Sequence, residues 1–382
     1  MRTALVLGGT GQVGRAAVPA LVAAGWHVRV LSRTGAPDGR TGLPGGRGAA
    51  HGAGSGSGAH VAHPDPHPDR VEHLVGDRAD AGTLDRALGE GVDLLVDVVA
   101  YDDRDAAPLL ARADRIGSAV VVSSAAVYVD GEGRGFETEA FARFDGPVPE
   151  DGPTVAPGRD GYAAGKAALE AAWLDGPVPV TVLRPGAIHG DGCRQPREWV
   201  WVRRVLDGRR LRVLASGGRS RFATTSTRGL AALVVAAGER PGTRVVNAAD
   251  ADAPTVAEIA ATVEASTRRL LARGSGDGPD AGAADAGPTR TVLLDGPPRG
   301  DVGATPWSVP DDVVLDLAAS RALAGEPPTY AGTVDDVVRW LLHVARHGDV
   351  GRDLPGVARL ARGGDLFPYA AEDALVRAGW AE

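Results

Sequence analysis

Residues 3 to 14 leave the chain little choice of architecture. The apolar, partly β-branched run TALVL at 3 to 7 reads as a buried strand, GGTGQVG at 8 to 14 as a glycine loop, and the segment that follows, to about Gly25, as a helix. In such a unit Gly8 permits a tight turn, Gly11 lets the backbone approach a pyrophosphate, and Gly14 lets helix and strand pack closely. The N–H groups of the first helical turn are then offered to the anion. The loop is not a P-loop, because Arg15 and Ala16 stand where Lys and Ser or Thr are required.

The same alternation continues. Strands are expected at 27–31 (HVRVL), 71–77 (VEHLVGD), 92–100 (VDLLVDVVA), about 118–124 (SAVVVSS) and 178–185 (VPVTVLRP), with helices at about 80–88, 104–116 and from Tyr162 onwards. VDLLVDVVA is almost continuously apolar, as a parallel strand covered on both faces must be. The expected fold class is therefore α/β, a Rossmann-type doubly wound parallel sheet over residues 1–185. Residues 186–382 read mainly as a smaller, partly discontinuous substrate domain, with helices at 197–208, 225–238, 255–272 and 333–348 and a strand near 243–247. Segment 222–250 is expected to pack back onto the first domain. Val334, Val337, Val338, Leu341 and Leu342 recur at helical spacing in the 333–348 helix.

Two stretches do not fit that pattern. Residues 35–69 are dominated by Gly, Pro and Ala, and 273–290 by Gly, Ala and Asp. Neither holds enough apolar surface to offset its ordering entropy, so both are expected to be disordered insertions, dispensable for folding. His51, His60, His63 and His67 lie in the first without a cysteine or carboxylate frame, and no metal site is expected.

Charge and composition exclude several function classes. A formal net charge of −8 argues against a nucleic-acid binder. Cys193 is the single cysteine, which rules out an internal disulfide framework and fits a reducing compartment. With no signal-peptide pattern and no long apolar run, a cytoplasmic protein with no membrane contact is expected.

One residue stands apart chemically. Lysine and arginine total 41, and all but Lys166 are arginine. A guanidinium replaces a solvated surface ammonium well, but not one that acts as a compact donor in a tight pocket. Lys166 follows Tyr162 by four residues, which in a helix puts phenol and ammonium on one face. A tyrosine that exchanges protons near neutrality needs about 4 kcal/mol of help, since a free phenol titrates near pH ~10. A neighbouring cation can supply much of it. At the end of the second strand, Ser32 and Arg33 occupy the place where an acid would bind the ribose 2′-hydroxyl of NAD. A basic residue there suits the 2′-phosphate of NADP, so NADP is favoured over NAD.

The G-x-x-G-x-x-G loop, SSAAVY at 123–128, Tyr-x-x-x-Lys at 162–166 and RPGAIHG at 184–190, in that order, resemble the short-chain dehydrogenase/reductase superfamily. The long C-terminal part is similar to its extended or atypical branch, the NAD-dependent epimerase/dehydratase family. The resemblance implies Tyr162 as general acid/base, Lys166 as holder of the nicotinamide ribose and the group that lowers the tyrosine pKa, and Ser124 as the hydrogen-bond partner of the substrate oxygen. Ser123 is the fallback. It further implies cofactor contacts from Gly8, Thr10, Gly11, Gln12, Val13 and Gly14, from Arg33 at the 2′-phosphate, from Asp77 with Arg78 at the adenine, from Pro185 and Ile188 at the nicotinamide, and from Ala100 and Lys166.

The implied activity is that of an NAD(P)-dependent oxidoreductase or epimerase acting on a hydroxyl or carbonyl of a small molecule, such as a sugar or nucleotide-linked sugar. The alternative is a regulator of the same fold that senses NAD(P) without catalysis; a Tyr–Lys proton-transfer pair speaks against it. A homodimer is admitted. Two departures bear on the chemistry. Family members that dehydrate sugars carry an Asp-Glu pair after the catalytic hydroxyl residue, where this chain has Ala125 and Ala126, and 222–231 carries hydroxyls instead of acids. Arg194, Arg203, Arg204 and Arg221 are candidates for a phosphorylated or nucleotide-linked substrate.

Overall fold

A computed structural model describes residues 1–33, 68–274, 287–361 and 363–379. The insertions expected at 35–69 and 273–290 lie mostly outside the described residues. At their edges the structure differs from the expectation, because the helix Val256–Gly274 runs into the second stretch and a strand begins at Arg290.

Six strands, β1 (Thr3–Leu7), β2 (His27–Ser32), β3 (Val71–Val75), β4 (Leu94–Asp97), β5 (Ala119–Val122) and β6 (Val180–Pro185), form one parallel sheet with Arg244–Ala248. The order is β3-β2-β1-β4-β5-β6 followed by Arg244–Ala248. Alternation along β1 shows why these strands read as unbroken apolar runs. Ala4 and Val6 face α1 (Gln12–Ala23) and α6 (Thr227–Glu239), while Leu5 and Leu7 face α2 (Ala81–Leu88), α3 (Asp103–Leu110) and α4 (Tyr162–Leu174). Each such leucine, wholly buried, contributes about 1.5–3 kcal/mol. The result is the Rossmann-type α/β fold that the alternation implied.

A second core lies beyond β6. Trp199, Trp201 and Val202 of α5 (Trp199–Leu206) pack with Ile259 and Val263 of α7 (Val256–Gly274) and with Val337, Val338 and Leu341 of the helix Tyr330–His347. That last helix starts three residues before the expected position, because the Thr329 side chain accepts a hydrogen bond from the Gly332 N–H and caps it there. Its apolar stripe is core. Two parallel pairs were not expected at all, Ala187–His189 with Thr224–Ser226 and Leu211–Leu214 with Arg290–Leu293.

Two elements are shorter than their sequence patterns. The strand expected at 92–100 ends at Asp97, whose carboxylate accepts the N–H groups of Val99 and Ala100 and turns the chain out of the sheet. The helix expected at 104–116 stops at Leu110, where the Arg112 side chain takes the Pro108 carbonyl and reaches across to Asp85. Because the strand order reverses between β1 and β4, their carboxyl ends open a crevice, the place where open α/β sheets bind ligands.

Candidate active site

A cleft of about 1580 Å3 occupies that crevice. Its floor is the glycine loop. Helix α1 starts at Gln12 with no side chain capping it, so its first-turn N–H groups are available to an anion. Gly14 is required by contact: a Cβ there would lie 2.4 Å from Gly9 Cα and 2.5 Å from the Gly8 oxygen. This narrow cradle of backbone fits a dinucleotide pyrophosphate.

The predicted residues separate into three groups. Gly8, Thr10, Gly11, Gln12, Arg33, Asp77, Arg78, Ser124, Tyr162, Pro185 and Ile188 all line the cleft. Val13 does not expose its side chain there; it is buried in the core beneath the glycine loop. Ala100 and Lys166 lie buried behind the cleft wall. Some of these lining residues already have partners. Asp77 accepts the Ala79 N–H at 2.9 Å, and Arg78 grips Asp97 through two bonds of 2.7 Å while also reaching the Asp105 carbonyl. Asp97 is wholly buried. A carboxylate inside the apolar run VDLLVDVVA was a signal in itself, since a buried charge demands a partner.

The two serines that follow β5 turn to opposite sides. Ser123 is buried and donates to Glu170 at 2.5 Å, whereas Ser124 lines the cleft beside Tyr162 and its hydroxyl accepts the Ala126 N–H at 3.1 Å. Tyr162 is 38% exposed and stands edge-on to Tyr101, ring centroids 5.7 Å apart. Lys166 Nζ lies 5.8 Å from the Tyr162 ring centre and donates to the carbonyls of Ala100 at 2.7 Å and Val122 at 2.9 Å. Burial brings its ammonium down to about 8.

The expected lowering of the tyrosine is not found. Although the side chain is partly exposed, desolvation by the protein packed around it raises the phenol's pKa, and the nearby Ser124 hydroxyl only partly opposes it. The ammonium that was to pull it down is itself desolvated and held by two backbone carbonyls.

The arginines are also rearranged. Arg203 pairs with Asp207, Arg204 with buried Glu372, and Arg221 donates to the Ala253 carbonyl, so three of the four candidates are otherwise engaged. Arg194 does line the cleft, joined by Arg197 and Arg359, which sequence reading did not single out. None of these three is salt-bridged among the described residues. Cys193 lies beside them, but burial pushes its thiol up to about 12, which disqualifies it as a nucleophile. His189 is buried against Asp250, Nε2 to Oδ2 2.7 Å, and ties the Ala187–His189 strand to the segment after Ala248. Among the described residues no group of three or more His, Cys, Asp or Glu could hold a metal ion, and no helix is long and apolar enough to cross a membrane.

The sheet order and the glycine cradle are those of a Rossmann-type α/β fold, which epimerase and dehydratase structures share. No protein-family model matches the chain, and no curated protein matches it in sequence. Solved structures do match in fold. A dTDP-glucose 4,6-dehydratase from Bacillus anthracis in complex with NAD is 16% identical, with 90% of this chain and 97% of that one covered and a TM-score of 0.58. The Bordetella bronchiseptica enzyme WbmH in complex with NAD+ is 17% identical over 91% of this chain and 100% of its own, at a TM-score of 0.60. A UDP-galactose 4-epimerase is 16% identical over 89% and 98%, at 0.53.

Proposed function

We propose that this protein is an NAD(P)-dependent oxidoreductase or epimerase that acts on a C–O centre of a small molecule. The observation that carries the reading is that Ser124 and Tyr162 line the same cleft as the glycine cradle, with Lys166 buried behind. A bound nicotinamide dinucleotide supplies or accepts the hydride. The α1 N-terminus would hold its pyrophosphate, and Arg33 a 2′-phosphate, which favours NADP.

The chain's own residues handle the proton. Hydride arriving at a carbonyl carbon leaves negative charge on the oxygen, and one proton must reach that atom. Tyr162 donates it while Ser124 fixes the oxygen by a hydrogen bond; in the oxidative direction Tyr162 takes the proton and Ser124 holds the same oxygen. Eliminating water would need a further acid/base group beside Ser124. Ala125 and Ala126 offer none, so dehydration is not part of this reading.

Arg194, Arg197 and Arg359 favour a substrate that carries phosphate or another anion, and nucleotide sugars, which two of the similar structures are named for, are the first to test. The test is incubation with NAD+ or NADP+ and a panel of nucleotide sugars such as UDP-glucose and dTDP-glucose, followed by mass spectrometry of the product and absorbance of reduced nicotinamide. Tyr162→Phe is expected to lower turnover by about 10²–10⁴-fold with cofactor affinity retained. A dehydrated product, or full activity in Tyr162→Phe, overturns the assignment.

A further inference from the structure

The first turn of α4 is held in an uncommon way. Its N-cap, Gly161, has no side chain to give, and the cap comes from outside the helix: the Glu137 carboxylate accepts the N–H of Tyr162 through Oε1 at 3.2 Å and that of Ala163 through Oε2 at 3.0 Å. Gly161 accommodates this twice over. Its φ of +97° is a left-handed conformation, and a Cβ there would lie 2.8 Å from a Glu137 oxygen. A carboxylate at a helix N-terminus meets both free donors and the positive end of the helix dipole.

Glu137 belongs to a firmly organised part of the loop between β5 and α4. Buried Asp130 is its hub, accepting the N–H groups of Glu132, Arg134 and Arg143 and the Arg134 guanidinium. Although burial works against the charge, those bonds hold the Asp130 carboxyl well below the usual range. Phe136, next to Glu137, meets Phe141 edge-on at 5.3 Å and Phe222 at 5.8 Å. Phe222 lines the cleft.

We propose that Glu137 is a positioning residue for Tyr162: it fixes the helical turn that carries the phenol and links that turn, through Phe136, to the Phe222 wall of the cleft. The proposal rests on the reading of Tyr162 as the proton partner. Its consequence is electrostatic as well as geometric. The groups facing the phenol are Ser124 from the end of β5, Tyr101 after β4, Lys166 on its own helix and Glu137 from the loop. Desolvation is the largest influence keeping the partly exposed Tyr162 protonated, the nearby Ser124 hydroxyl opposes it, and Tyr101 and the Glu137 charge add to it. Glu137 thereby favours the phenol as a proton donor.

The test uses the full chain and needs no substrate, so it can fail without touching the assignment of function. Tyrosinate absorbance is titrated in wild type, Glu137→Gln and Glu137→Ala, each with a Tyr162→Phe counterpart to isolate the Tyr162 contribution. Both Glu137 variants are expected to titrate Tyr162 at lower pH than wild type. Amide exchange at neutral pH is the second readout: the Tyr162 and Ala163 N–H groups should exchange about tenfold faster in Glu137→Ala, with Glu137→Gln between it and wild type. Phe136→Ala should speed exchange of the same two amides. An unchanged Tyr162 midpoint in Glu137→Gln, or loss of thermal stability alone, reduces Glu137 to a structural cap and overturns the proposal. Wild-type exchange in Phe136→Ala overturns the link to the cleft wall.

Discussion

Helix α4 has a buried cation on either side of Glu170, and the two behave in opposite ways. Arg184 of β6 donates to both Glu170 oxygens at 3.0 and 2.6 Å, to the Glu150 carbonyl at 2.9 Å, and stacks 4.8 Å from the centre of the Tyr128 ring. Burial works against its charge, but the hydrogen bonds and charge of Glu170 outweigh it and raise its pKa above the ordinary value. Lys166, one turn before Glu170, has carbonyl oxygens for hydrogen-bond partners and no carboxylate among them, and its pKa falls. The first arrangement is fixed and always charged; the second holds a cation ready to interact with something else. A sequence driven almost wholly to arginine can fill the first place but not the second, because a guanidinium stays charged and needs a fork of acceptors, whereas an ammonium needs neither.

The comparison can be broken first at its rigid half. Glu170→Gln would leave the Arg184 charge buried with a neutral partner, and breaking a buried pair costs about 3–5 kcal/mol. Denaturant unfolding should show most of that loss; a change below about 1 kcal/mol would mean that the pair is no more than a surface-type contact.

The next effect lies at the labile half. With a folded-state value of about 8 against an ordinary 10.5, Lys166 is neutral when folded but protonated when unfolded between those limits. The unfolded state then binds more protons, so stability must rise with pH across that window. Below pH ~8 both states are protonated and the burial penalty is carried in full. Wild type should therefore gain about 3 kcal/mol relative to Lys166→Met between pH 8 and pH 10.5. A constant difference would show that the ammonium is not desolvated.

The smallest effect tests the far end of the cleft. Arg33 is exposed, so Arg33→Ala should weaken NADPH by about tenfold, or about 1.4 kcal/mol, and leave NADH almost unchanged. Equal affinity of wild type for the two cofactors would remove the preference for NADP while leaving the fold and the Tyr162 chemistry untouched.

Much was legible before any coordinates. The sheet, the glycine loop and the order Ser124, Tyr162, Lys166 follow from local signals, namely apolar runs of strand length, a glycine spacing and one conspicuous lysine. These signals involve residues near each other in the chain, where backbone geometry alone sets what can meet. Tertiary structure decided which polar groups were already taken. It assigned Ser123 to Glu170 and left Ser124 to the cleft, turned Arg78 onto Asp97, engaged Arg203, Arg204 and Arg221 elsewhere, and brought Arg197 and Arg359 beside Arg194. It also placed Glu137 at the head of α4 and left the Tyr162 phenol above its ordinary pKa. A charged or hydroxyl side chain can reach many partners, and its choice depends on distance and desolvation between segments far apart in sequence, which no local pattern records.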